Sequence, residues 1–209
     1  MELLIIDDNP FGENIYIYYD KESGEGIIID PGDSFDLIRN AIEENNIKVV
    51  AILLTHGHFD HVFRANEVRE LTNAPIYSHE SEVPLLQDTE FNRAGRRGLE
   101  VTVSPDKYLA DGDIFSFANG TELKVIHTPG HTAGGICFYD EKNAMIFTGD
   151  TLFRETVGRT DLPTGCTHTL LSSIREKLFT LPDNVTVFPG HDRKTTIEHE
   201  KKHNRIVML

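Results

Sequence analysis

Cysteine is scarce. The chain has two, Cys137 and Cys166, too few for a disulfide framework. Long hydrophobic runs are also missing: nothing approaches the roughly 18 apolar residues of a membrane span. The first eight residues, Met1 to Asp8, lack a basic segment and hold only a short apolar stretch. They read as a first strand rather than a signal peptide, so a cytoplasmic location and no membrane association are expected. Positive charge is in deficit as well: 20 Lys and Arg stand against 34 Asp and Glu, a net charge of −14. Nucleic-acid binders need a basic surface, so nucleic acid is not an expected partner. An anionic substrate would have to be drawn in locally, by metal ions or by a few placed Arg and Lys side chains. There is no linker, low-complexity segment or compelling repeat. With 209 residues, 39% hydrophobic and 26% charged, the chain suits one globular domain spanning 1–209. Nothing in the sequence sets an oligomeric state.

The most informative segment is Thr55-His56-Gly57-His58-Phe59-Asp60-His61, which follows the apolar run 49–54. Such a run reads as a buried strand. Imidazoles and a carboxylate at a strand exit are the donor set of a transition-metal site. If the segment stays extended, His56, His58 and Asp60 share one face. His61 then falls where a helix should begin, and one short loop could serve two ions. Three further strand exits repeat the theme: Thr128-Pro129-Gly130-His131, Thr148-Gly149-Asp150 and Pro189-Gly190-His191. The glycines let the backbone turn sharply or approach closely.

Periodicity places strands near 2–7, 14–20, 25–30, 49–54, 75–78, 113–117, 121–127, 135–140, 143–148 and 184–188. Alternation in 14–19 suggests a half-buried antiparallel strand. Helices are predicted over 33–46, 61–72, 80–87, 167–179 and 194–204. The apolar stripe of the first is Phe35, Leu37, Ile38, Ala41 and Ile42, and that of the second Val62, Ala65, Val68 and Leu71. Residues 88–112 show little periodicity and contain the basic spot Asn92-Arg93-Ala94-Gly95-Arg96-Arg97-Gly98. A binding loop closing over the metals and an ordinary solvated loop are both open readings there.

The motifs HGHFDH, HTPGHT, FTGDTLF and FPGH resemble the metallo-β-lactamase superfamily of binuclear metallohydrolases. The stretch from Thr148 to Arg154 with Gly158-Arg159-Thr160-Asp161 is similar to its small, single-domain glyoxalase II-like branch. The resemblance runs from about Ile27 to Asn204. It implies an α+β fold, an αββα sandwich with the site along one edge. It further implies one metal held by His56, His58 and His131, a second by Asp60, His61 and His191, and Asp150 bridging both. Asp60 and Asp150 become the catalytic carboxylates, and Asp30 a structural brace of the ligand loop. Two divalent ions are expected, zinc first, with iron or manganese as alternatives. Arg154, Arg93 and Arg96 are candidates to meet a substrate carboxylate, Arg154 also having a structural reading.

The implied reaction is hydrolysis of a small-molecule 2-hydroxyacyl thioester such as S-D-lactoylglutathione. The full-length glyoxalase II pattern adds a C-terminal helical domain that grips glutathione. With the sequence ending at Leu209 that domain is expected to be absent, which leaves room for another thiol carrier. The last motif also departs from the pattern, reading Pro189-Gly190-His191-Asp192 where a second Gly is usual. Alternatives are a persulfide dioxygenase with one iron on His56, His131 and Asp150, a lactonase or other ester hydrolase, including a β-lactamase, and a non-catalytic metal-binding module. His127 is expected to be structural. His79, His168, His199 and His203 lack a ligand-like context. Cys137 reads as core, Cys166 as an incidental or reactive thiol at a helix start, and Arg159 as an ion-pairing residue.

Overall fold

In a computed structural model, which describes residues 1–208, the chain forms two compact units. The first comprises 1–109 with 116–121, and the second 110–115 with the chain from Glu122 onward.

In the first unit β1 (Glu2–Ile6), β2 (Ile15–Tyr19) and β3 (Glu25–Ile29) form an antiparallel meander. Helix α1 (Phe35–Glu44) returns the chain so that β4 (Lys48–Leu53) lies parallel to β3, the kind of crossover a parallel pair requires. Helices α2 (Phe59–Val62) and α3 (Ala65–Thr72) lead to β5 (Ile76–Ser78), parallel to β4. After α4 (Val83–Leu86) a long segment ends in β6 (Lys107–Tyr108), completing a six-stranded sheet in sequence order. Ile17, Ile28, Ile38, Ile52 and Val68 are among its core residues.

Several sequence expectations change here. Strand β2 is buried on both faces rather than half-buried, with Tyr16 and Tyr18 as well as the isoleucines inside. Leu37 and Leu71 leave the predicted stripes and are exposed, while Ile38 and Val68 are buried. The helix expected over 61–72 is two helices. The Arg64 N–H donates to Pro31 O at 2.9 Å instead of to the preceding turn, which interrupts the ladder. The 88–112 segment is a fastened strap. Asn92, Ala94, Val101 and Val103 are buried, and Asn92 Nδ2 donates to Val101 O at 2.7 Å. The Val103 N–H donates to Leu86 O at 2.8 Å.

The second sheet opens with β7 (Ile114–Phe117), whose last two residues are counted in the first unit, and β8 (Thr121–His127). In the second unit β9 (Ile136–Asp140) and β10 (Met145–Gly149) are followed by a small hairpin, β11 (Leu152–Phe153) and β12 (Thr156–Val157). Helix α5 (Thr167–Ser173) continues as a π-helical turn over Ile174–Leu178, closed by the Phe179 N–H on Ile174 O at 2.8 Å. Strand β13 (Thr186–Pro189) then runs parallel to β10, and β14 (Thr195–Thr196), α6 (Ile197–His203) and α7 (Arg205–Met208) end the unit. The sheet order is β14-β13-β10-β9-β8-β7. Ile126, Cys137, Ile146, Leu170 and Val187 belong to its core. The helix expected over 194–204 starts later because Thr195 and Thr196 pair with β13. Thr196 then caps α6, its hydroxyl accepting from the His199 N–H at 3.1 Å. No helix among the described residues is long and apolar enough to cross a membrane.

Candidate metal centre

In the loop that follows β4 the backbone is fastened on the residues that flank and separate His56 and His58. The Thr55 N–H donates to Asp30 Oδ1 at 2.7 Å. The Gly57 N–H donates to Glu82 Oε2 at 2.7 Å. The Phe59 N–H donates to Asn92 O at 2.9 Å. His56 and His58 sit between these anchors and are buried, their rings 4.9 Å apart and nearly perpendicular. The extended run ends at His58, since α2 begins at Phe59. Asp60 therefore lies in the first turn of a helix rather than on the extended face with His56 and His58. His61 follows on the same turn, its ring 4.1 Å from that of His56.

The nitrogen that each ring offers is set by its other nitrogen. His61 Nδ1 stands 3.0 Å from Asp30 Oδ2. An ionised carboxylate only accepts, so Nδ1 carries the proton and Nε2 keeps its lone pair. The Thr55 hydroxyl donates to the same Asp30 oxygen, which leaves it to accept from His56 Nδ1 at 3.1 Å. This carboxylate–imidazole arrangement is the usual support of a metal-binding histidine. One ligand-type atom each from Asp30, His56 and His61 falls within 4.8 Å of the others. Both Asp30 oxygens accept hydrogen bonds, Oδ1 from the Thr55 N–H and Oδ2 from the Thr55 hydroxyl and His61 Nδ1. Pro31-Gly32 then passes too close for any larger residue: a Cβ on Gly32 would lie 2.1 Å from Asp60 O.

In the second unit three residues emerge at strand ends. Strands β10 and β13 are parallel neighbours, and the Gly190 N–H donates to Gly149 O at 2.8 Å. Asp150 and His191 therefore leave the sheet side by side. Asp150 Oδ1 is 3.8 Å from His191 Nε2, and its Oδ2 is 3.5 Å from His131 Nε2. Two ligands of one tetrahedral ion with bonds of about 2.0–2.1 Å stand roughly 3.3–3.4 Å apart. The Asp150–His131 separation comes close to that spacing and the Asp150–His191 separation exceeds it, each on a different carboxylate oxygen. His131 Nδ1 donates to Arg159 O at 2.7 Å, again leaving Nε2 as the donor atom for a metal. Gly158 is required beside it, because a Cβ there would fall 1.8 Å from Asp150 O.

The loop carrying His131 is pinned from several directions. The Cys166 N–H donates to Gly130 O at 2.8 Å, and Ser173 Oγ to Pro129 O at 2.8 Å. Lys177 Nζ reaches His127 O at 2.7 Å and Asp111 Oδ2 at 3.0 Å. Asp111 also accepts from the His127 N–H at 2.7 Å. Partial burial works to raise the Asp111 pKa, and these donors overcome it, holding the carboxyl below its usual range. Gly130 has φ +133°, and a Cβ on it would come 2.2 Å from the Leu170 backbone N. Gly130→Ala is expected to cost about 1–3 kcal/mol through overpacking and a strained dihedral. Urea unfolding of the metal-free protein measures it, and an unchanged midpoint would contradict the tight packing described.

The remaining predicted residues fall as follows. Arg93 is half-buried with φ +79°, and Arg96 is exposed on a 3₁₀ turn of the strap. Arg154 follows β11, with Nε 3.8 Å from Glu155 Oε1. It lines a cavity of about 420 Å³ with Glu155, Asp192 and Arg193. Arg159 is occupied by Asp161, with two contacts of 2.7 Å. His127 bonds Ala133 O at 2.9 Å. Cys166 is exposed at the N-cap of α5, its thiol pKa lowered chiefly by the Thr169 side chain and backbone.

Sequence reasoning missed Glu13, Glu82, Asn92 and Glu200, all fully buried. Glu200 accepts from the Glu155 N–H, Thr195 Oγ1 and Asn204 Nδ2 at 2.8, 2.6 and 2.9 Å. Glu13 lies 4.0 Å from His61 Nδ1 and, after burial itself, is the largest influence raising the Tyr16 pKa. Isolated polar or acidic residues in otherwise ordinary segments carry no sequence signal of this.

The sequence profile of the metallo-beta-lactamase superfamily matches residues 8–191, a span that takes in residues of both units. The chain belongs to that superfamily. It is 36% identical over 207 residues to the hydroxyacylglutathione hydrolase GloC of Haemophilus influenzae, covering 98% of this chain and 97% of the relative. Among solved structures, the BLEG-1 B3 metallo-beta-lactamase superposes with a TM-score of 0.93 at 34% identity, with full coverage of both chains. TTHA1623, solved in a di-iron-bound form, gives 0.85 at 33% identity, covering 97% of this chain and 98% of that one. The fold is therefore the mixed α and β metallo-β-lactamase fold that the sequence motifs imply. The chain is a metallo-hydrolase of this superfamily, and its His and Asp clusters suit divalent metal ions.

Proposed function

We propose that the protein hydrolyses a 2-hydroxyacyl thioester, such as S-D-lactoylglutathione, to the hydroxy acid and the free thiol with two divalent ions. His56, His58 and His131 would hold one ion and Asp60, His61 and His191 the other, with Asp150 shared. The observation that carries the substrate class is the 36% identity, along nearly the whole of both chains, to a hydroxyacylglutathione hydrolase. Zinc is the first expectation for the metals, and the di-iron form of TTHA1623 keeps iron open.

Bound ions of this kind lower the pKa of a coordinated water to near neutral and polarise a carbonyl. The chain's own groups supply the rest. Asp30 and the Arg159 carbonyl hold the His61 and His131 rings with Nε2 presented. Asp150 places one oxygen toward each of two imidazoles. A thiolate leaving group with a parent pKa around 8.5 needs little general-acid help, so no further proton donor is required of the protein. Arg154, beside the cavity it lines with Arg193, is the candidate in the second unit to meet a substrate carboxylate. Arg93 and Arg96 are the candidates in the first.

Hydrolysis of S-D-lactoylglutathione by metal-quantified protein tests the reading. A kcat/KM above about 10⁴ M⁻¹s⁻¹ is expected. A background rate with two ions bound per chain would rule the glutathione thioester out. The likeness to a B3 metallo-beta-lactamase supports one second reading, β-lactam hydrolysis, so a β-lactam belongs in the same assay. Oxygen uptake with a persulfide on iron-loaded protein would select the dioxygenase reading.

A further inference from the structure

We propose that Glu82 is a positioning residue for metal binding by His56 and His58, acting through the peptide between them. The proposal rests on the reading of those histidines as ligands. Glu82 ends a 3₁₀ turn just before α4 and is fully buried. Burying a carboxylate is costly unless strong hydrogen bonds compensate, and an apolar residue of similar size would usually serve stability as well. Its carboxylate takes the N–H of Gly57, 25 residues away, at 2.7 Å. A bond of this charge-assisted kind is about twice as strong as a neutral one.

Gly57 has nowhere else to go. A Cβ on it would meet Leu85 Cβ at 2.9 Å, Glu82 Oε2 at 3.1 Å and Leu86 Cγ at 3.2 Å. The backbone is thus seated on α4, and Glu82 sets the rotation of the peptide that enters Gly57. That peptide links the Cα of His56 to the Cα of Gly57, and the next one carries His58. A rotation there swings both imidazoles, whose rings now stand 4.9 Å apart at 86°. Metal ligands must be held within about 0.5 Å of their working positions. The neighbouring anchors, Asp30 on Thr55 and Asn92 on Phe59, lie one step either side. Glu82 alone among the three grips the residue between the two ligands.

Zinc affinity decides it, measured by competition with a chromophoric chelator on metal-free protein, with thermal unfolding of the same metal-free samples. Glu82→Ala is expected to weaken a zinc-binding step about 10–100-fold, the range for groups that support metal ligands. Glu82→Gln, whose amide oxygen can accept the same N–H, is expected to recover most of the loss. Glu82→Asp keeps the charge but withdraws the acceptor by a methylene and is expected to stay weak. A purely structural Glu82 would lower the unfolding temperature in all three while folded protein bound zinc within twofold of wild type, and that result overturns the proposal. If the Ala variant does not fold, the Gln and Asp variants decide by the same criterion. Wild-type protein that takes up no zinc would overturn the ligand reading itself. Normal wild-type uptake with unaffected variants overturns only the role of Glu82.

Discussion

Asp150→Asn is expected to lower kcat/KM for the thioester by about 10³-fold or more. The carboxylate has one oxygen 3.5 Å from His131 Nε2 and the other 3.8 Å from His191 Nε2. Asparagine preserves the shape but turns one of those oxygens into an N–H donor, which cannot ligate a cation, and removes a negative charge. Metal-assisted hydrolysis draws several kcal/mol of transition-state stabilisation from correctly held ions, and each 1.36 kcal/mol is a factor of ten in rate. Metal content should fall together with rate. Steady-state kinetics with metal analysis of the same samples checks this. A variant that keeps both ions and loses less than tenfold in kcat/KM would show that Asp150 does not bridge.

Asp30→Ala is expected to destabilise the protein by about 3–5 kcal/mol, the cost of removing one partner from a buried charged network. Asp30 accepts from the Thr55 N–H, the Thr55 hydroxyl and His61 Nδ1. Alanine would leave those donors buried without an acceptor. For a chain of this size 1 kcal/mol moves the unfolding midpoint by about 2–4 °C, so a fall of roughly 6–20 °C is expected. The measurement belongs in chelator, so that lost metal binding does not enter it. Asp30→Asn should be milder, because one acceptor oxygen remains and Asn tolerates the positive φ of 49° found here better than most residues. A loss under about 1 kcal/mol for the alanine variant would mean the ligand loop is held chiefly by packing on α4 and by Glu82 and Asn92.

Together with Glu82 these variants separate three jobs that one short loop combines. Asp150 tests the chemistry of the ions, Asp30 the stability of the loop and Glu82 the fidelity of its shape. The 88–112 segment belongs to the third job. Its Asn92 takes the Phe59 N–H, and Arg97 lies 5.2 Å from the Phe59 ring centroid. That fastening explains why a stretch without periodicity is nonetheless ordered on the first unit.

The sequence by itself determined the family and named the candidate donors. His56, His58, Asp60, His61, His131, Asp150 and His191 each follow an apolar run, and side-chain alternation and turn residues are local properties that survive in one dimension. For the same reason most strands were legible to within a residue or two. Tertiary structure alone decided how those donors are supported. Glu82 and Gly57 are 25 residues apart, as are Asp30 and Thr55. A hydrogen bond at that separation depends on how a helix and a sheet pack, which no local pattern encodes. Long-range packing also set the departures from periodicity. Arg64 gives its N–H to Pro31 and splits a helix, Thr195 and Thr196 join a sheet before α6 begins, and β2 is covered on both faces. In each case a partner distant in sequence offered the backbone or side chain more than its neighbours did.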